Sequence, residues 1–122
     1  MNIEILRTYC LSLHNTTESF PFGPDILVFK VEEKMFGLIP LDGSEPSFTL
    51  KCDPEQVIIL RDRYCAVEPA FHFNKRYWNT IYLNRDMPSE DILRWVNHSY
   101  AEVIAKLPKR TQALYAEYIK HD

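Results

Sequence analysis

From Ile3 to Leu13 the apolar residues Ile3, Ile5, Leu6, Tyr9, Cys10 and Leu13 recur at three- and four-residue spacing, the period of one helical face. Asn2 stands where a side-chain oxygen can cap that helix, and Asn15-Thr16-Thr17 breaks the pattern after His14. PFGP at 21–24 reads as a rigid turn, since two prolines fix φ and Gly23 permits unusual backbone angles. ILVFKV (26–31) and KMFGLIPL (34–41) then read as two strands. Glu32-Glu33 is short enough for a hairpin between them, although neither residue favours the positive φ that hairpin turns prefer. LDGSEP supplies a second turn and SFTLKC (47–52) a third strand.

Asp53-Pro54 is a helix start, with Asp as N-cap and Pro at the first helical position. A short helix to about Arg63 buries Val57 and Leu60, helped by Ile58 or Ile59. Tyr64 to Ala70 is extended but interrupted by Pro69, which suits an edge or irregular strand. Tyr77 to Leu83 is a better strand. A long helix runs from about Ser89 to Lys106, with Ile92, Leu93, Val96, Tyr100, Val103, Ile104 and Leu107 on one stripe. Pro108 ends it, and 109–120 forms a last helix. Strands joined by short turns with segregated helices predict an α+β fold: an antiparallel sheet of about five strands with helices on one face.

The 122 residues amount to one domain, and neither linker nor repeat divides them, so 1–122 is read as a single domain. The longest apolar runs are about four residues, against roughly 20 for a bilayer span, and MNIEILRTYC has no basic leader. The expectation is a cytoplasmic protein without membrane attachment. Cys10, Cys52 and Cys65 show no C-x-x-C spacing and read as reduced core thiols.

Net charge is −3, too acidic for a protein that coats nucleic acid through bulk positive charge. The distribution adds something. Residues 1–50 carry −4, residues 51–85 carry +2 and residues 86–122 carry −1. The positive segment holds Lys51, Arg61, Arg63, Lys75, Arg76 and Arg85.

Catalytic patterns are lacking: there is no Gly-rich phosphate loop, G-x-S-x-G or H-E-x-x-H. Cys65 and His72 can be drawn as a thiol and its base, or as two metal ligands, but the sequence places no further partners. The expectation is a non-catalytic protein without cofactor or metal. Glu90-Asp91 lies in a first helical turn, where negative charge favours the helix dipole.

AFHFNKRYWNTIYL, residues 70–83, holds the functional candidates. On a strand Trp78, Thr80 and Tyr82 share one face, while Asn79, Ile81 and Leu83 share the other. Ile81 and Leu83 suit the helix-packed side, which leaves Trp78, Thr80 and Tyr82 on a face at least partly open to water. His72, Asn74, Lys75 and Arg76 precede them. Aromatics with Arg and Lys on an open sheet can stack bases and neutralise phosphates. Equally, Trp and Tyr sit half-buried with wet polar tips in many plain cores.

PFGPDILVFKVEEKMFGLI, SFTLKCDPE, HFNKRYWNTIYL and HSYAEVIAKLPKR, in that order and over nearly the whole chain, make this sequence similar to the MmcQ/YjbR family of small bacterial proteins. The departure is Glu32-Glu33, where many relatives place glycine. The resemblance implies a CyaY-like (frataxin-like) fold and DNA binding by a helix-and-wing arrangement. It carries over His72, Asn74, Lys75, Trp78, Asn79 and Thr80, with Lys51 and Ser99-Tyr100. It does not carry frataxin's iron role, because Glu4 is the single acid between Met1 and Thr17.

Two functional expectations follow. One is DNA binding through Lys51, Arg61, Arg63, His72, Asn74, Lys75, Arg76 and Trp78. The other is a protein- or small-ligand-binding module using the same open sheet face without nucleic acid. An open face can also receive a second copy, so monomer and weak homodimer both stand.

Overall fold

The structure, a computed structural model, describes residues 1–43 and 45–119. Asn2 opens the first helix as its sequence position predicts: Oδ1 accepts from Ile5 N at 2.8 Å, and α1 spans Ile3–Ser12. Leu6 and Cys10, one turn apart, are buried. Ile5 lies a hundred degrees round from Leu6 and is 53% exposed, so the buried stripe is narrower than the sequence pattern.

The break after His14 is a turn at Asn15, which takes φ 59, and it leads into a strand that the apolar pattern does not signal. This is β1, Thr17–Ser19, three polar residues paired only to β2 (Ile26–Val31). The sheet therefore has six strands where about five are expected. β2 continues into β3 (Lys34–Pro40) through Glu32 and Glu33 at φ 50 and 64. Val31 opposes Lys34, so the turn is the tight two-residue kind, made without glycine.

β4 covers Ser47–Lys51. Gly37 of β3 has a packing reason: a Cβ there would lie 2.1 Å from Phe48 Cζ. α2 (Pro54–Arg63) starts on Asp53, whose carboxylate accepts from Glu55 N at 2.8 Å. Val57 and Leu60 are buried, but Ile58 and Ile59, expected to help, are 60% and 49% exposed. β5 (Val67–Pro69) and β6 (Trp78–Tyr82) follow. The order across the sheet is β1-β2-β3-β4-β6-β5, with all pairings antiparallel. β5 is an edge strand, and Pro69 removes one of its donors.

α3 (Ser89–Ile104) buries Ile92, Val96, Tyr100, Val103 and Ile104 and packs across β3 and β4. Leu6, Phe29, Phe48, Ile81 and Val96 belong to one hydrophobic cluster fed by α1, α2, α3 and the inner sheet face. Ser99 staples this layer. Its hydroxyl donates to Phe36 O at 2.6 Å and accepts from Lys51 N at 2.8 Å. The expected last helix at 109–120 is instead α4, Lys109–Ala113, and a 3₁₀ turn at Ala116–Tyr118; Lys120 lies outside the described residues. Between the two, Tyr115 buries its ring fully, and its hydroxyl donates to Glu32 at 2.5 Å.

Cys10 and Cys52 are buried and unpaired. Burial pushes the Cys52 thiol up to about 12 and raises that of Cys10 as well, so both stay protonated and inert. Cys65 departs from the core reading and is exposed. No helix among the described residues is long and apolar enough to cross a membrane.

Candidate functional site

Strand alternation divides the sheet as the pattern of β6 predicts. Asn79 and Ile81 are buried on the helix side, while Trp78, Thr80 and Tyr82 face outward and are half-buried. Registers extend that outer face across all six strands. Ser19, Val28, Leu38, Thr49, Thr80 and Glu68 form one transverse row. Ile26 with Pro40, and Ser47 with Tyr82, lie in the next row.

Among the described residues no helix covers this face, yet Val28 and Leu38 are 0% and 7% exposed, and Thr49 is 6% exposed. Flanking segments account for the difference. The Phe20–Pro24 turn and the loop after β5 rise on either side and leave a groove of about 680 Å³. Leu38, Thr49 and Thr80 line its floor, with Phe22, Phe71, His72 and Phe73 as walls and Asp42, Glu45, Tyr82 and Arg85 also lining it. Phe22 and Phe71 are 60% and 74% exposed, an unusual cost for two large rings beside a sheet whose apolar floor is otherwise covered.

Polar groups in the groove are few and placed. Thr49 and Thr80 share a hydroxyl hydrogen bond of 2.9 Å across β4 and β6. Arg85 grips Glu45 with two bonds of 2.8 Å, which holds that carboxylate below its usual range. The same guanidinium stands 4.0 Å from the Tyr82 ring centroid and donates to Cys65 O at 3.1 Å. Burial and a hydrogen bond to Glu68 raise the Tyr82 phenol.

The 70–78 segment is folded by its own side chains. Asn74 Oδ1 accepts from Arg76 N at 3.0 Å, and Asn74 O accepts from Tyr77 N and Trp78 N. Asn74 is therefore a turn residue. The turn sets Phe73 against Trp78, ring centroids 5.2 Å apart, and brings the Lys75 ammonium 5.7 Å from the Phe71 centroid. Arg61 secures the base of the loop from α2, donating to Asn79 Oδ1 at 2.7 Å and to the carbonyls of Lys75 and Trp78. Asn79 is completely buried and also donates to Val57 O at 3.2 Å.

The remaining basic candidates go elsewhere. Arg63 stacks on Tyr64 at 5.4 Å and lines a second cavity, of about 780 Å³, with Trp95 and His98. Lys51 is registered with Trp78, and its charge is felt by Glu102 of α3 and by Lys106 just beyond that helix. Arg76 lies against Tyr77. Lys51, Arg61, Arg63, Lys75 and Arg76 thus serve several separate sites, with Arg61 turned inward. Of the eight residues expected to bind DNA, His72 alone lines the groove, joined by Thr80 of the positions carried over by the family resemblance. Cys65 is outside its lining, and no three His, Cys, Asp or Glu side chains gather as metal ligands among the described residues.

Sequence reasoning missed Phe22, Leu38, Phe71 and Arg85. The signals were present but read otherwise, Phe22 as part of a turn and Arg85 as part of a positive segment.

Comparisons place this architecture among known proteins. The YjbR family model matches residues 11–102. The Escherichia coli protein YjbR is 29% identical over 117 residues, 96% of this chain and 99% of its own. Escherichia coli YbdF is 33% identical over 110 residues, 89% of each chain. The crystal structure of Deinococcus radiodurans protein DR2400, of domain family DUF419, superposes with a TM-score of 0.88 at 29% identity, covering 99% of this chain and 96% of that one. A Pseudomonas syringae crystal structure gives 0.70 at 27% identity, covering 81% and 96%.

Proposed function

The chain belongs to the YjbR family, and within it we propose that this protein is a binding module that takes a small, largely apolar ligand in the open-face groove. The observation that carries this reading is the pair of exposed rings, Phe22 and Phe71, walling a concave and mostly apolar surface of about 680 Å³. Small-molecule sites are concave, apolar pockets of roughly 300–1,000 Å³ with a few placed polar groups. His72 supplies such a group, while the Thr49–Thr80 hydroxyls are paired with each other on the floor and Arg85 is paired with Glu45 at one end. Among the described residues no nucleophile hydrogen-bonded to a base lines the groove, which favours binding over catalysis. Free thiols at Cys10, Cys52 and Cys65 suit a reducing compartment such as the cytoplasm.

DNA binding has weaker support in the geometry. A nucleic-acid face needs cations that converge on phosphates, whereas Arg61 is consumed by internal hydrogen bonds and Arg63 lies on the helix side. The groove itself carries Asp42 and Glu45. What favours DNA is the basic loop at Lys75 and Arg76, beside Trp78.

The test is titration with the neutral fluorophore N-phenyl-1-naphthylamine, alongside duplex and single-stranded oligonucleotides at low salt. The groove reading expects fluorescence enhancement that Phe22→Ala and Phe71→Ala each weaken severalfold, since each removes an exposed ring and leaves the core intact. It is lost if the wild type gives no enhancement, or if neither substitution changes it. Salt-sensitive oligonucleotide binding abolished by Lys75→Glu would move the assignment to DNA.

A further inference from the structure

We infer that the groove's ligand is an anionic amphiphile, an aromatic or aliphatic body bearing a single carboxylate that His72 and Lys75 hold at the rim. This deepens the groove reading above and rests on it.

Two carboxylates line it, and neither is left over. Glu45 accepts from Nε and Nη2 of Arg85, and Asp42 is engaged within the protein. Arg85 is spent in turn: two donors go to Glu45, one to Cys65 O, and its Nη1 also stands 3.9 Å from Glu68. Its planar face is covered by Tyr82. Arg85 therefore closes its own end of the groove as a neutralised strut.

The loop carrying the other wall is different. Lys75 makes no ion pair among the described residues, and its ammonium stands 5.7 Å from the centroid of Phe71, the most exposed ring of the wall. His72, next to Phe71 in the chain, lines the groove and makes no side-chain hydrogen bond among the described residues. An exposed ammonium without a carboxylate partner and an exposed imidazole without a side-chain partner, among the described residues, thus stand beside an apolar surface. Two donors match the two oxygens of one carboxylate, and charge-assisted bonds of this kind are about twice as strong as neutral ones. The apolar body would lie between Phe22 and Phe71 over Leu38, with the acid at the His72–Lys75 rim. The turn of Asn74 and the Arg61 contacts beneath it fix where that rim stands.

The test compares three probes with the same body, 2-naphthoate, 2-naphthalenemethanol and 2-naphthylmethylamine, at pH 7.5. Binding is followed by the amide shifts of Phe71, Phe73 and Thr80 in NMR spectra. The wild type should bind the acid at least about tenfold tighter than the alcohol, and the amine most weakly. Lys75→Gln combined with His72→Gln should lower the affinity for the acid at least about tenfold more than it lowers that for the alcohol. Equal affinities for all three would overturn the headgroup inference and leave the groove reading standing. Tightest binding of the amine would overturn it in favour of the Asp42–Glu45 end. If none of the three shifts those amides while the N-phenyl-1-naphthylamine titration succeeds, the carboxylate inference fails alone. Failure of that titration as well removes both.

Discussion

Arg61 Nε donates to Asn79 Oδ1 at 2.7 Å, a contact that ties helix α2 to the strand flooring the groove. Asn79 answers with its amide on Val57 O, and Arg61 extends the tie to the carbonyls of Lys75 and Trp78. The wall that carries Phe71 and His72 is therefore held from behind by a residue that never enters the groove.

Asn79→Ala should lower unfolding stability by about 2 kcal/mol, because it leaves Val57 O and the Arg61 fork without their buried partner. Arg61→Lys should also destabilise, since one ammonium cannot reach three acceptors in separate directions, and amide exchange at Trp78 should quicken. Urea unfolding and hydrogen exchange read both. If Arg61 served only as a charge for phosphate, Arg61→Lys would leave stability and exchange unchanged.

The helix starts at Asn2 and Asp53 and the α3 stripe were readable because each depends on neighbours within one turn. The outer face of β6 was readable for the same local reason. What escaped depends on partners distant in sequence. β1 has no apolar residue to announce it and exists because β2 offers an edge. Arg61 and Asn74 looked like ligands for a nucleic acid because composition records charge and polarity but not whether a buried acceptor has already used them. The groove arises where the Phe22 turn and the Phe71 loop, about fifty residues apart, rise beside the same sheet face, and no window of sequence contains both.

Glu32 and Glu33 both hold left-handed backbone angles, at a cost of about 1 kcal/mol for a residue with a side chain. Glu33→Gly should therefore raise stability by about 1 kcal/mol in thermal or urea unfolding. Glu32→Gly should gain nothing net, because it also removes the acceptor of the buried Tyr115 hydroxyl. Equal gains at both positions would show that the Tyr115 contact contributes nothing.

His98 sets a pH dependence. Its Nε2 accepts from Asp53 N at 3.1 Å, which requires the neutral ring. Burial lowers its pKa from the ordinary 6.5, outweighing Glu102 and Asp53, which pull it upward; Arg63, Arg94 and Asp91 share its cavity. The unfolded chain thus takes the proton more readily than the native one, so stability should fall as pH drops below about 6.5 and level off below the folded pKa. Glu18, Glu45 and Asp86, held below the usual carboxylate range, act further down. His98→Gln keeps an acceptor but does not titrate, and between pH 7.5 and 5 its melting temperature should fall less than the wild type's. Parallel slopes would rule this out.

The Thr49–Thr80 pair separates folding from binding. These hydroxyls satisfy each other at 2.9 Å on a floor they share with Leu38, Pro40 and Ser47, and valine has nearly the shape of threonine. Removing one partner leaves the other beside an apolar wall, so Thr49→Val alone should cost about 1 kcal/mol. Removing both leaves nothing unpaired, and the double variant Thr49→Val, Thr80→Val should recover wild-type stability or exceed it. A purely structural pair would end there. A pair on the floor of an apolar ligand site should also change affinity: the double variant offers a drier surface and should bind N-phenyl-1-naphthylamine severalfold more tightly. Unfolding and titration on the same three proteins measure the two effects separately. An affinity unchanged by the double substitution would place the ligand off the β4–β6 floor.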